Sequence, residues 1–186
     1  QTPTYSMRTL AYHEATPGHH HQIAHSLENE DLTLYRRFGY FTSAFAEGWA
    51  LYSEILALEA GLAEDPYDEL GILQSELFRA VRLVVDTGMH YKRWTREEAM
   101  KYMKTKTGMS DTEVRVEIER YIVWPGQALS YKVGMIKILE LREKAMSELG
   151  DKFNIKDFHS AVLDHGNPPL FIVEEMVNNM IRENLN

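Results

Sequence analysis

Apolar residues recur at i, i+3, i+4 and i+7 along nearly all of the 186-residue chain, while alternating runs bounded by turn signals are scarce, so the pattern predicts an all-α protein. A first helix is expected over roughly Ser6 to Leu27, closed by the acidic turn Glu28-Asn29-Glu30-Asp31. A second, aromatic-rich helix is expected from about Ser43 to Ala60, with Gly61 as its stop. Asp65 and Pro66 form a cap and first-turn pair for a long helix to about His90, in which Leu70, Leu73, Leu77, Val81, Val84 and Val85 make the apolar stripe. Thr95 begins a capping box with Glu98, and Ser110 caps a further helix. Pro125 is read as opening a helix to about Leu149, and two short helices split by His165-Gly-Asn-Pro-Pro close the chain. No repeat, low-complexity tract or linker interrupts this series, so residues 1–186 are read as a single helical domain.

Composition narrows the classes of function. An apolar fraction of 44% is enough to build a core. Twenty Lys and Arg against 28 Asp and Glu give a net charge of −8 without any basic run, which argues against a nucleic-acid partner. No apolar stretch approaches the ~18 residues of a membrane span. The absence of cysteine excludes thiolate ligands and leaves the compartment open. The chain opens on Gln1 with a histidine cluster a dozen residues later, and is therefore expected to be a processed chain or a C-terminal fragment.

That cluster carries the chemistry. Tyr12 to Gln22 reads YHEATPGHHHQ, which starts like the helical zinc motif H-E-x-x-H but places Pro17 where the second histidine belongs. The Pro17 ring would collide with the carbonyl of His13, so a helix cannot run straight through. On an ideal helix His19 would sit about 240° around from His13, and His20, though nearly aligned, would lie roughly 10 Å farther along the axis. Zinc–nitrogen bonds of about 2 Å cannot span either arrangement. A bulge of two extra residues at Thr16 to Gly18 would return His19 to the second-histidine position, and Glu14 would then be placed as general base toward a water on the ion. A solvent-facing histidine cluster with an incidental kink is the alternative.

A third ligand is needed, and Glu47 in FAEGWALYSE is the best candidate, because its helix is apolar nearly all round and an ionised carboxylate there needs a metal or a partner. A buried ion pair with Arg82 or Arg120 would satisfy it equally well. Glu54 lies two turns on along the same stripe and is placed to orient a ligand histidine. His20, His21 and His25 read as solvent-facing, and Gln22 as structural.

Six stretches together resemble the bacterial domain of unknown function 885 family: HEATPGHHHQ, FAEGWALYSE, RAVRLVVDTGMHYKRWTREEA, EIERYIVWPGQALSYKVG, LREKA and FHSAVLDHGNPPL, spanning about Leu10 to Leu170. Its members look like zinc metallopeptidases of the gluzincin type. The resemblance implies a zincin-like helical peptidase fold in a longer protein, exported to the periplasm or lipid-anchored in the cell envelope. The missing N-terminal portion would pack against this chain as the other wall of the cleft. It also implies one zinc ion on His13, His19 and Glu47, with His19 preferred over His20, and a peptide substrate. WPGQALSYKVG is similar to a Gly-rich segment of related peptidases whose tyrosine stabilises the oxyanion, which implies that role for Tyr131; a core tyrosine is the alternative. Arg82, Asp86 and His90, spaced i, i+4, i+8, share a stripe fit either to bind a substrate carboxylate and steady the metal or to tie helices together, and Arg120 carries the same ambiguity. The expected function is zinc-dependent peptide hydrolysis. A non-catalytic metal-binding or interaction module, and a metal-dependent hydrolase of other amides or esters, are the rivals.

Overall fold

The computed structural model describes residues 4–39 and 41–185. The described residues form helices and turns without a strand: α1 Met7–Glu14, α2 His19–Glu28, α3 Ser43–Glu59, α4 Pro66–His90, α5 Arg96–Thr107, α6 Asp111–Val123, α7 Ser130–Leu149, α8 Ile155–Leu163 and α9 Leu170–Leu185. None of these helices is long and apolar enough to cross a membrane. Several boundaries follow from local chemistry. Asp65 accepts the Tyr67 and Asp68 N–H groups ahead of α4, and the Thr95–Glu98 and Ser110–Glu113 capping boxes start α5 and α6.

Three sequence expectations need correction. The first helix is not one helix with a bulge: it ends at Glu14, and the chain is non-helical from Ala15 to Gly18 before α2 begins. Pro125 does not open α7. It lies in a turn whose Gly126 has φ +82°, with its N–H accepted by the Asp86 carboxylate at 3.1 Å, and α7 starts only at Ser130. The last helix, α9, is not short but has 16 residues.

The expected stripe of α4 also divides. Val81 and Val85 are buried, whereas Leu70, Leu73, Leu77 and Val84 are exposed, because the inward face carries Gly71, Ile72, Arg82 and Asp86. One apolar cluster joins α3, α7, α8 and α9 around Trp49, Tyr52, Ile138, Phe158 and Val177. A second joins α4, α5 and α6 around Val85, Met103, Ile118 and Tyr121.

The axis of the first cluster is the crossing of α3 on α7. A Cβ placed on Gly134 would lie 1.8 Å from the Ala44 carbonyl oxygen, and one on Gly48 would lie 2.5 Å from the Gly134 Cα, so the two backbones touch with no side chain between them. Beside them His159 of α8 accepts the Tyr52 hydroxyl at 2.9 Å and sits edge-on to Trp49. Burial pushes the His159 pKa down from 6.5 to about 4, with Arg142 and His21 lowering it further against an opposing effect of Glu59.

Two outcomes follow. Gly134→Ala should lower stability by about 2–3 kcal/mol through overpacking, read as a fall in the urea midpoint at unchanged slope; an unchanged midpoint would show that these helices do not meet through glycine. Between pH 6.5 and 4 the unfolded chain takes up a proton that folded His159 refuses, so stability should fall as pH is lowered through that window and be unaffected above it. Discounted for the ring's partial exposure, the loss is on the order of 1 kcal/mol, and His159→Gln should remove it from the pH dependence of thermal melting.

Candidate metal centre

The break between α1 and α2 decides the geometry. The Pro17 carbonyl accepts the Trp49 indole N–H at 2.8 Å and the Ser53 hydroxyl at 3.2 Å, so the loop is tied down onto α3. Gly18 packs so closely on the preceding helix that a Cβ there would lie 1.9 Å from the His13 carbonyl oxygen. The Thr16–Pro17 peptide is cis. Helix α2 then starts at once, with His19 as its first residue, and the His21 N–H reaches back to the Ala15 carbonyl at 3.3 Å.

This path brings the His13 and His19 rings to 5.0 Å between centroids, nearly perpendicular. From α3, the Glu47 Oε2 lies 3.2 Å from His19 Nε2 and 3.9 Å from His13 Nε2. One ligand atom from each of the three falls within 4.8 Å of the others, and no other such group of three His, Cys, Asp or Glu occurs among the described residues. Tetrahedral zinc with bonds of about 2.0–2.2 Å separates its ligand atoms by about 3.4 Å. The donor set therefore fits a zinc ion with small side-chain adjustment, two imidazole nitrogens and one carboxylate being the ligand types it takes.

The surroundings hold these groups in register. His13 is 3% exposed, and its Nδ1 lies 2.7 Å from Glu54 Oε1, a carboxylate that is itself 1% exposed. That contact places the ring proton on Nδ1 and leaves the Nε2 lone pair facing Glu47. Burial alone would raise the Glu47 pKa, but the hydrogen bond and charge of His19, the Tyr131 hydroxyl and the charge of His13 outweigh it and hold the carboxyl below its ordinary value. Tyr131, on the first turn of α7, stacks on His13 with centroids 6.2 Å apart. Glu14 follows His13 as the last residue of α1, and its side chain is exposed.

Other residues singled out in the sequence fall elsewhere. His20 is exposed on α2, outside the converging group. His25 pairs with Asp164 at 2.6 Å, and its ring lies 6.1 Å from that of His21. A glutamate paired to arginine does exist, but it is the half-buried Glu117 rather than Glu47: Arg82 and Arg120 each donate to its Oε2 at 3.0 Å. Asp86 holds the Gly126 N–H, and His90 Nε2 donates to the Tyr121 carbonyl at 3.0 Å. The Arg82–Asp86–His90 stripe thus ties α4 to α6 and to the turn that leads into Tyr131. Arg82 touches the centre through one contact, its guanidinium lying 4.7 Å from the centre of the Tyr131 ring.

Arg79 was not among the residues the sequence pointed to. Its guanidinium lies 5.5 Å from the Tyr131 ring centre and donates to the Ser75 hydroxyl at 2.9 Å. Burial lowers its pKa against the pull of Glu54 and Glu47. The signal available was its place three residues before Arg82, on the same face of α4.

Removing the Glu54 carboxylate with Glu54→Ala should weaken zinc binding by about 10- to 100-fold, the usual cost of losing the partner that orients a ligand histidine. Gly18→Ala should cost at least as much, because it forces α1 and α2 apart. Competition with a chromophoric chelator measures both, and wild-type affinity in Glu54→Ala would remove the orienting role.

The chain matches the family described as "Bacterial protein of unknown function (DUF885)" over residues 1–177. No curated protein matches it. Among solved structures it is similar to the putative lipoprotein from Colwellia psychrerythraea, with 54% identity, a TM-score of 0.93, and coverage of 97% of this chain and 31% of that one. A putative lipoprotein of unknown function from Shewanella oneidensis is 28% identical with a TM-score of 0.87, covering 94% of this chain and 32% of that one. The chain therefore spans about a third of the length of either neighbour. With nearly its whole length inside the family match, this chain belongs to the bacterial DUF885 family.

Proposed function

We propose that the chain carries the zinc centre of a metal-dependent peptidase, its fold a zincin-like helical one. The observation that supports this most is the convergence of His13, His19 and Glu47 from three helices onto one point, with the Glu54 carboxylate behind His13. A structural salt-bridge cluster has no need of two imidazole Nε2 atoms facing one carboxylate, whereas a three-ligand zinc site with an open fourth position does.

His13, His19 and Glu47 hold the ion. Zinc, when bound, supplies Lewis acidity toward the scissile carbonyl and lowers the pKa of water near it. Glu14 takes the proton of the attacking water and passes it to the leaving amine, while the Tyr131 O–H, beside Glu47, donates to the oxyanion. Arg79 and Arg82 lie against the Tyr131 ring and keep it in place. The exposed row Leu70, Leu73, Leu77 and Val84 of α4 is where the rest of a longer protein packs, closing the cleft. The lipoprotein neighbours support placement in the cell envelope.

In the full-length protein, Glu14→Gln should keep stoichiometric zinc and lose hydrolysis of a mixed peptide panel. Tyr131→Phe should lower kcat by about 10²–10³ with little change in KM. Normal turnover by Glu14→Gln would remove the general base. Turnover of esters or N-acyl amino acids without peptides would keep the metal and change the substrate class, and a protein that takes up no zinc would be an interaction module.

A further inference from the structure

Around the three converging side chains the charges are matched, with one exception among the described residues. Glu47 faces His13 and His19, Glu54 is bound to His13, and Glu117 is shared by Arg82 and Arg120. Arg79 forms no ion pair with any described residue. Its Nη1 donates to the Ser75 hydroxyl at 2.9 Å, and its Nε is sealed from solvent without a partner. Its Nη2 also lacks a partner among the described residues but keeps an open surface. The Phe78 and Tyr131 rings lie 5.2 and 5.5 Å from the guanidinium. Such ring contacts return only part of what it costs to take a cation out of water, and they offer no acceptor to its N–H groups. Glu54 and Glu47 attract it from farther away, but a zinc ion would draw on those same two carboxylates, Glu47 directly and Glu54 through His13.

The free side of Arg79 opens into a cavity of about 290 Å³ between α1, α4 and the turn joining α5 to α6. The wall follows α4 from Gly71 to Arg79, about 12 Å, and α1 from Tyr5 to His13. A Cβ on Gly71 would lie 2.3 Å from the Tyr5 carbonyl oxygen, so the two helices touch at the end away from His13. His13 and Glu54 are part of the same wall as Arg79, so the cavity adjoins the candidate metal centre directly. Both carboxylates in the wall are engaged, Glu54 Oε1 with His13 at 2.7 Å and Glu113 by the Ser110 N–H at 3.0 Å. Leu10, Phe78 and Met109 supply its apolar part.

An unmatched guanidinium beside apolar side chains is the complement of a carboxylate carried on a small apolar body. We propose that Arg79 receives a carboxylate of the peptide substrate, supplied by the free C-terminus or by an acidic side chain, with the rest of that residue against Leu10, Phe78 and Met109. The assignment rests on the peptidase reading above and deepens it by giving the substrate a charge. Arg79 is linked to the centre by two ring contacts, 5.5 Å to Tyr131 and then 6.2 Å from Tyr131 to His13. An extended residue spans about 3.3–3.6 Å, so the charged group lies within about three residues of the bond that is cut. The volume suits so small a guest, lying just below the ~300–1,000 Å³ of sites for drug-sized ligands.

The test uses full-length, zinc-loaded protein carrying Glu14→Gln, so that ligand is not consumed, and calorimetry with N-acetyl-leucine, the α-amide of N-acetyl-glutamate and neutral N-acetyl-leucinamide. At least one acid should bind about tenfold or more tightly than the neutral probe, the scale of one charge-assisted hydrogen bond, and the acid preferred identifies the source of the carboxylate. Arg79→Gln should bring that ratio close to one, and Arg79→Lys should retain part of it. Gln74→Phe, which fills the cavity and leaves the charge in place, should weaken all three probes. Arg82→Gln should keep the preference, because Arg82 touches the same tyrosine ring at 4.7 Å but is not in the cavity wall. Equal binding of acids and amide, no binding of any probe, or an equal loss in Arg82→Gln would overturn the subsite. So would an undiminished preference in folded Arg79→Gln, the result expected of a carboxylate held by zinc alone. If Arg79→Gln does not fold, unchanged binding in Arg79→Lys and Gln74→Phe overturns it instead. The two readings fail separately. Wild-type protein that cleaves acidic and neutral peptides alike keeps the peptidase and loses the subsite, whereas an Arg79-dependent acid preference without hydrolysis of any peptide keeps the subsite and loses the peptidase.

Discussion

The contact of Gly18 with the His13 carbonyl is what the rest of the centre depends on. Proline at position 17 forbids a continuous helix, and a residue with a side chain at position 18 would hold the second helix away from the first. With glycine there the chain turns within four residues and restarts, and two imidazoles with five residues between them face the same carboxylate. Trp49 and Ser53 complete the arrangement by holding the Pro17 carbonyl, so the helix that brings Glu47 also fixes the loop that brings His19.

Helix α3 is accordingly the common support. It carries Glu47, the orienting carboxylate of Glu54 and both loop anchors, and its backbone meets α7 through Gly48 and Gly134. Tyr131 lies on α7 one turn before that crossing, and the Arg82–Glu117 and Asp86–Gly126 contacts hold the other side of the turn that leads to it. Each polar group near the centre therefore rests on a helix whose position is set by a contact elsewhere.

Much of this could be read from the residues in order, and the parts that could not have a common cause. The capping boxes and the all-α class follow from rules acting over a few residues, whereas the meeting of His13 with His19 runs against ideal helical geometry and is expected only through a bulge at Thr16 to Gly18, with Glu47 as third member resting on its apolar helix and on the family resemblance. The start of α7 did not follow, because a side chain forty residues away holds the Gly126 N–H and reverses the usual meaning of a proline. The stripe of α4 was misjudged because its hydrophobic residues divide between an inner face and a bare one. Arg79 was missed because Tyr131, Glu54 and Glu47, which surround it, come from segments far along the chain.

The glycine crossing of α3 and α7 has an evolutionary consequence. Two backbones in direct contact leave no tolerance for exchange at positions 48 and 134, so the frame that holds the donor atoms is resistant to drift. The Gly166 turn meets a milder form of the same constraint, a Cβ there lying 2.7 Å from the Arg36 carbonyl oxygen, whereas the exposed row Leu70, Leu73, Leu77 and Val84 of α4 meets none. Sequence change in a lineage can thus accumulate on that bare face of α4 while the frame behind the three converging side chains stays still.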